Sequence, residues 1–167
     1  MSTDSPHPKK TKTMHEVLRQ VPYNLVAVGV GAIPHDENAF VACWFTQCSF
    51  DPPRIVMAVR NDTSSKKMLD DDGVFSINLL SKSQISIARK LVKPSHRVGD
   101  KLGKISHYEE VTGAPLLRDA IAFLECRLFA SLDTGDHTLF VGDVVNAGQN
   151  SKEEPLTCAD VRWHYGG

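Results

Sequence analysis

The stretch IAFLECRLFASL, residues 121–132, constrains this chain more than any other. Its even positions, Ala122, Leu124, Cys126, Leu128, Ala130 and Leu132, are all apolar, while the odd positions include Glu125, Arg127 and Ser131. Alternation with period two marks a strand with one buried face, which the even positions are expected to supply. The segment HTLFVGDVV from His137 follows after Asp133-Thr134-Gly135-Asp136, residue types suited to a tight turn, so the two segments are expected to form a hairpin.

Other short runs share this texture. Asn24–Val30, Phe40–Thr46, Arg54–Arg60 and Val74–Leu80 are rich in β-branched or aromatic residues, and Gly31, Pro34, Asn38, Asp51-Pro52-Pro53 and Gly73 punctuate them. Helical patterns are fewer. Val17, Leu18 and Val21 have helical spacing between His15 and Pro22; Ser64 or Ser65 can cap a turn that Gly73 closes; and Ile85, Ala88, Leu91 and Val92 form a stripe ending before Pro94. No repeat and no regular strand-helix alternation is present, which argues against a doubly wound parallel sheet. The expected fold is mainly β, a small antiparallel barrel with a few short helices.

At 167 residues and 41% hydrophobic content the chain suffices for one packed core, hence one domain, expected over residues 15–167. Residues 1–14, with two prolines, three lysines and little that is apolar, are expected to form a disordered tail. Nineteen Lys plus Arg against 20 Asp plus Glu leave a formal charge of −1, which removes the broad electrostatic argument for a nucleic-acid or anionic-membrane partner. No apolar run approaches a bilayer span and the N-terminus is polar, so a cytoplasmic, soluble protein is expected.

Cys43, Cys48, Cys126 and Cys158 form no C-x-x-C pair and complete no zinc spacing, and the seven histidines include no H-E-x-x-H, so no metal site is expected. The default role of these thiols is as small buried hydrophobes or inert groups. Gly29 to Pro34 reads GVGAIP, which lacks a third glycine and ends in proline where a dinucleotide-binding helix would begin. Neither a phosphate loop nor a nucleophile elbow appears. Cys48 and His137 are the types needed for a thiolate pair, but no nucleophile signature surrounds them.

Three stretches together point elsewhere: WFTQCSFDPPRIVMAV (Trp44 to Val59), DDGVFSINLL (Asp71 to Leu80) and DTGDHTLFVGDV (Asp133 to Val144). With LECRL at Leu124 to Leu128, they resemble the flavin reductase-like family, the FMN-binding split β-barrels that include flavoredoxins and the flavin reductase module of diflavin flavodiiron proteins. The resemblance runs in register from about Pro22 to about Gly148. It implies a Greek-key split barrel and bound FMN, with FAD the less favoured form. It also implies NAD(P)H as reductant, a homodimer with flavin sites at the subunit interface, and a protein electron acceptor or monooxygenase partner.

Residue by residue, the resemblance makes Thr46, Gln47, Cys48, Ser49 and Phe50 the backbone cradle for the polar edge of the flavin ring. An ordinary strand exit is the competing reading. Asn61, Thr63 and Ser64 offer an amide and two hydroxyls at a helix start, where an anion is favoured, and are the expected phosphate contacts; a simple N-cap competes. Lys101 matches a family lysine that could reach the phosphate or the reduced ring. His137 is the expected catalytic residue and also contacts the cofactor, with Asp136 its orienter or simply a turn residue; a histidine satisfied by hydrogen bonds within the turn is the competing reading. Trp163, His164 and Tyr165 match an aromatic-rich family strand, with Tyr165 the expected cover of the ring. Cys48 departs from the alanine usual there. The expected activity is hydride acceptance from NAD(P)H at flavin N5 and electron transfer to free flavin or a protein. A non-catalytic FMN electron carrier and a flavin-free interaction barrel are the rivals.

Overall fold

The computed structural model describes residues 13–32, 35–94, 97 and 99–163. The tail expected over residues 1–14 lies outside these, except that Thr13 caps helix α1 (Met14–Leu18) by accepting from the Glu16 N–H. Strands β1 (Val26–Ala32) and β2 (His35–Ala42) pair as a hairpin, as do β3 (Phe45–Ser49) and β4 (Arg54–Arg60), the latter through a turn with a cis Asp51–Pro52 peptide. Helix α2 (Ser64–Asp72) leads to β5 (Val74–Leu79). A 3₁₀ turn (Lys82–Gln84) and α3 (Ile85–Leu91) follow, then the short ladder of β6 (His107–Tyr108) and β7 (Leu116–Leu117). The long hairpin of β8 (Ala122–Asp133) and β9 (His137–Gln149) comes next, and α4 (Cys158–Val161) is the last described helix.

Seven strands form one antiparallel sheet in the order β2-β1-β5-β8-β9-β4-β3. The connection from β4 to β5 passes over β9 and β8, a Greek-key crossover. Among the described residues no ladder joins β2 to β3, so the barrel is split between them, and the chain passes from one to the other through Cys43 and Trp44. The strand expected over Phe40–Thr46 is therefore corrected to two strands meeting at that corner. Its apolar run is continuous because both sides of the corner are packed, and composition does not mark where the ladder partner changes.

The strands bury two layers. Val26, Val28 and Val30 of β1 face the barrel interior with Ile55, Met57, Val59, Phe75, Ile77, Cys126, Phe140 and Leu69 of α2. Leu25 and Ala27 point the other way, into a second cluster with Leu80, Ala88, Leu91, Leu102 and Leu156. Each such large side chain contributes roughly 1.5–3 kcal/mol of burial. Gly29 of the GVGAIP stretch allows the Pro115 carbonyl to approach: a Cβ there would meet that oxygen at 2.3 Å. Gly73 closes α2 in the left-handed region, φ 63°, as expected, but the N-cap is Thr63 rather than Ser64 or Ser65.

The expected buried face of β8 holds only in part. Cys126 is buried, yet Leu132 is 62% exposed, while Glu125 on the opposite face is 0% exposed. The ladder shifts register between Glu125 and Cys126 and again between Leu128 and Ala130, and the hairpin's far end runs out from the core. Loop residues Val111 and Thr112 cover Glu125, so both faces are buried near the middle of the hairpin.

Candidate functional site

The outer face of β4 and β9 carries a groove of about 500 Å³ lined by Tyr23, Trp44, Thr46, Val56, Ala58 and Leu139, among others. Register explains the lining. Val56 pairs with Thr46 on one side and Val141 on the other, Ala58 pairs with Leu139, and Arg60 pairs with His137, so the row Val56, Ala58, Arg60 runs beside Leu139 and His137. Trp44 is tied into the groove by its carbonyl, which accepts from Ala58 N–H at 2.9 Å. Its ring lies 4.9 Å from the His137 ring and 6.2 Å from Tyr23.

Along the groove runs β3, an edge strand whose outward backbone groups no ladder uses. Its pairing slips between Gln47 and Ser49, leaving Cys48 in a bulge, where donors leave the regular pattern. Thr46, Gln47, Cys48 and Phe50 are exposed and Ser49 is half-buried. The segment singled out from sequence is thus an accessible backbone ridge at the groove.

His137 is 7% exposed. Its Nδ1 stands 2.8 Å from Asp136 Oδ1, and a carboxylate can only accept, so Nδ1 is the donor of this hydrogen bond. This hydrogen bond holds the Asp136 carboxyl below its usual range. The turn is locked from β4: Asn61 N–H donates to Asp136 O (3.0 Å), its side-chain amide donates to Gly135 O (2.8 Å), and its Oδ1 accepts from Thr138 Oγ1 (2.7 Å).

Asn61 thus sits against the turn before His137, with Thr63 and Ser64 following at the start of α2, but two of the three side chains already hold the fold. The Thr63 hydroxyl donates to Arg60 O at 2.9 Å and accepts from Lys66 N–H at 3.2 Å, while Ser64 is exposed in the first turn of α2. Arg60 pairs with Asp62, and Lys66 and Lys67 pair with Asp70 and Asp71. Lys101 is placed differently from the expectation of a cofactor contact. It is 6% exposed, its ammonium donates to Ala39 O (3.2 Å) and Leu91 O (3.0 Å), and burial lowers its pKa. The carbonyl at the end of α3 draws it inward. Tyr165 and His164 lie outside the described residues; Trp163 is half-buried and lines a second groove that shares Pro22, Tyr23 and Asn24 with the first. Sequence reasoning passed over Trp44, Tyr23 and Leu139 as site residues. A tryptophan inside an apolar run was the available signal for the first, but only the corner turns it onto His137.

Among the described residues no group of three metal-ligating side chains converges, and no helix is long and apolar enough to cross a membrane.

Fold and site define an antiparallel split β-barrel with a ligand-sized groove on its outer face beside an open edge strand. The chain belongs to the flavin reductase like domain family, whose model matches residues 18–166. The NADH-dependent FAD reductase of Streptomyces globisporus is 30% identical over 142 residues, 84% of this chain and 77% of that protein. The solved NADH:FAD oxidoreductase of the same organism superposes with TM-score 0.80 at 26% identity, covering 91% of this chain and 93% of that one. BorF, the flavin reductase component of a bacterial two-component tryptophan halogenase, gives TM-score 0.76 at 27% identity over 90% and 93% of the two chains. Diflavin flavoprotein A 1 of Synechocystis is 29% identical over 127 residues, 75% of this chain; the chain spans only 22% of that protein's length.

Proposed function

We propose that this chain is a flavin reductase: it binds a flavin in the Trp44 groove, takes hydride from NADH or NADPH, and passes electrons to free flavin or a protein acceptor. The observation that carries the reading is the juxtaposition of an apolar groove, an exposed edge-strand backbone and a buried, carboxylate-oriented histidine at one rim. Bound there, a flavin would supply a two-electron acceptor at N5.

The residues present fit such a group. Val56, Ala58, Leu139 and Trp44 form an apolar wall that excludes water, and the Thr46–Phe50 ridge offers backbone donors and acceptors to a polar ring edge. The start of α2, with Ser64 exposed and Asn61 and Thr63 shaping the turn, suits a phosphate through the positive end of the helix dipole. His137 Nε2 is the group proposed to hold or return a proton, or to orient a nicotinamide amide. Lys101 is proposed as a brace of β2 against α3 rather than a phosphate contact.

FMN is the form proposed from the sequence; the FAD named for the S. globisporus relative would use the same ring site. A homodimer is proposed to cover Met14, Val17, Leu18 and Val21 around α1 and Phe129 and Leu132 on the long hairpin, all exposed in the single chain. A protein acceptor is proposed from the halogenase and diflavin relatives. The test has two stages. Denaturing the purified protein and weighing the released chromophore identifies the flavin. Anaerobic NADH or NADPH should then bleach the ~450 nm band within turnover times. A flavin that stays oxidised makes the chain a carrier served by another reductase, and a colourless protein that gains no thermal stability from FMN or FAD overturns the reading.

A further inference from the structure

We infer that Cys43 and Cys158 form a redox-active thiol pair, oxidised by hydroperoxides to a disulfide that ties the C-terminal segment to the wall of the groove. Cys43 sits at the corner after β2, 7% exposed, in one cluster with Leu25, Leu80, Leu156 and Val161. Cys158 opens α4 and packs half-buried against the same cluster.

Backbone pairing brings the two together. Ala42 faces Val26 in the β1–β2 ladder, and the lead-in to β1 is gripped by the C-terminal segment. Leu25 N–H donates to Leu156 O at 3.1 Å, Cys158 N–H donates to Tyr23 O at 3.0 Å, and Asn24 bridges Thr157. Both cysteines pack into the one cluster around Leu25 and Leu156, and Cys158 Sγ donates to Asn24 O at 3.8 Å.

Their environments are unequal in the way such chemistry needs. Hydrogen bonding from Cys43 favours the Cys158 thiolate and lowers its pKa, whereas the same contact, reinforced by burial, pushes Cys43 up. Cys158 is half-buried where Cys43 is buried, so the more accessible sulfur meets peroxide first as the nucleophile and the buried one is the resolving thiol. Cys126, also buried, has its thiol pushed up to about 12 by burial.

The Cys158 thiolate attacks a peroxide oxygen; an S–O bond forms, the O–O bond breaks, and the released alkoxide or hydroxide takes a proton from water. The Cys43 sulfur then attacks the sulfenic sulfur: the S–S bond forms, the S–O bond breaks, and hydroxide leaves with the Cys43 proton as water. Two thiols lose two electrons and the hydroperoxide gains them. Tyr23 and Asn24 line both the Trp44 groove and the neighbouring groove bounded by Thr157, Cys158 and Trp163, so the bond would fix one groove wall against the other. The inference requires no flavin and stands apart from the reductase proposal.

The test treats the reduced full chain with hydrogen peroxide, blocks residual thiols with iodoacetamide and maps peptides without reductant. The expected result is a Cys43–Cys158 cross-link, an intact mass lower by two hydrogens, and reversal by dithiothreitol. Alkylation of Cys158 should run at least about tenfold faster than that of Cys126 at neutral pH. Cys43→Ser should leave Cys158 as a sulfenic acid trapped by dimedone, and Cys158→Ser should abolish the link. A wild-type protein in which Cys158 proceeds to sulfinic acid unlinked, pairs with Cys48, or stays fully alkylated alongside Cys43 overturns the inference.

Discussion

Glu125 and His137 are both buried titratable side chains on the β8–β9 hairpin, yet they do different work. Glu125 is enclosed. It accepts from Thr112 N–H (2.7 Å), Thr112 Oγ1 (2.8 Å), Val111 N–H (3.1 Å) and Asn146 Nδ2 (2.7 Å). Burial alone would raise its pKa, but these donors outweigh burial and hold the carboxyl below its usual range. His137 is oriented by one exposed carboxylate and leans on Trp44 at an open groove. A buried charge ringed by donors pins a loop; a buried ring held by one carboxylate and packed on the tryptophan of a groove is the residue proposed to act on a ligand.

The largest effect is expected from breaking the enclosed end. Glu125→Ala leaves four donors without an acceptor and should cost about 3 kcal/mol of stability in urea unfolding, with flavin affinity of the folded fraction unchanged. Equal loss of affinity would merge the two regions into one functional unit. Next comes His137→Ala, expected to slow anaerobic flavin reduction by roughly 10- to 100-fold while changing flavin affinity less; parallel losses would make His137 a binding residue only.

The smaller effects separate fold from ligand within the rim. Thr63→Ala removes the α2 cap and should lower stability by about 1 kcal/mol, whereas Ser64→Ala should lower flavin affinity by about 1 kcal/mol and leave the unfolding midpoint in place. The smallest signal is acid titration. A carboxyl held low in the folded protein stabilises it above its unfolded pKa of about 4.3, and that stability fades as pH falls through the lower folded value. Glu125→Gln should therefore flatten the loss of stability with acid, measured as Tm against pH.

Several elements were readable from local pattern. Arg54–Arg60 and the hairpin turn at Asp133–Asp136 stand as expected, and Gly73 ends α2 because only its backbone accepts φ 63° without strain. The two-faced reading of β8 was only half legible. Alternation cannot say that the loop at Val111 and Thr112 folds over Glu125, nor that the hairpin outruns the core and leaves Leu132 exposed. At the rim, Thr46–Phe50, Asn61–Ser64 and His137 were legible as residue types, whereas sequence could not show that the Lys101 ammonium bonds carbonyls of β2 and α3, since those contacts span 62 and 10 residues.

The order of residues by itself determined strands such as β4 and β5, the hairpin turn before β9 and the family, because apolar period, glycine and proline act over a few positions. Tertiary structure decided that Trp44 meets His137, that Asn61 locks the turn before β9, and that Cys43 and Cys158 pack into one cluster. Those contacts join segments far apart in the chain, and their geometry follows from strand register and the split of the barrel, which no local window contains.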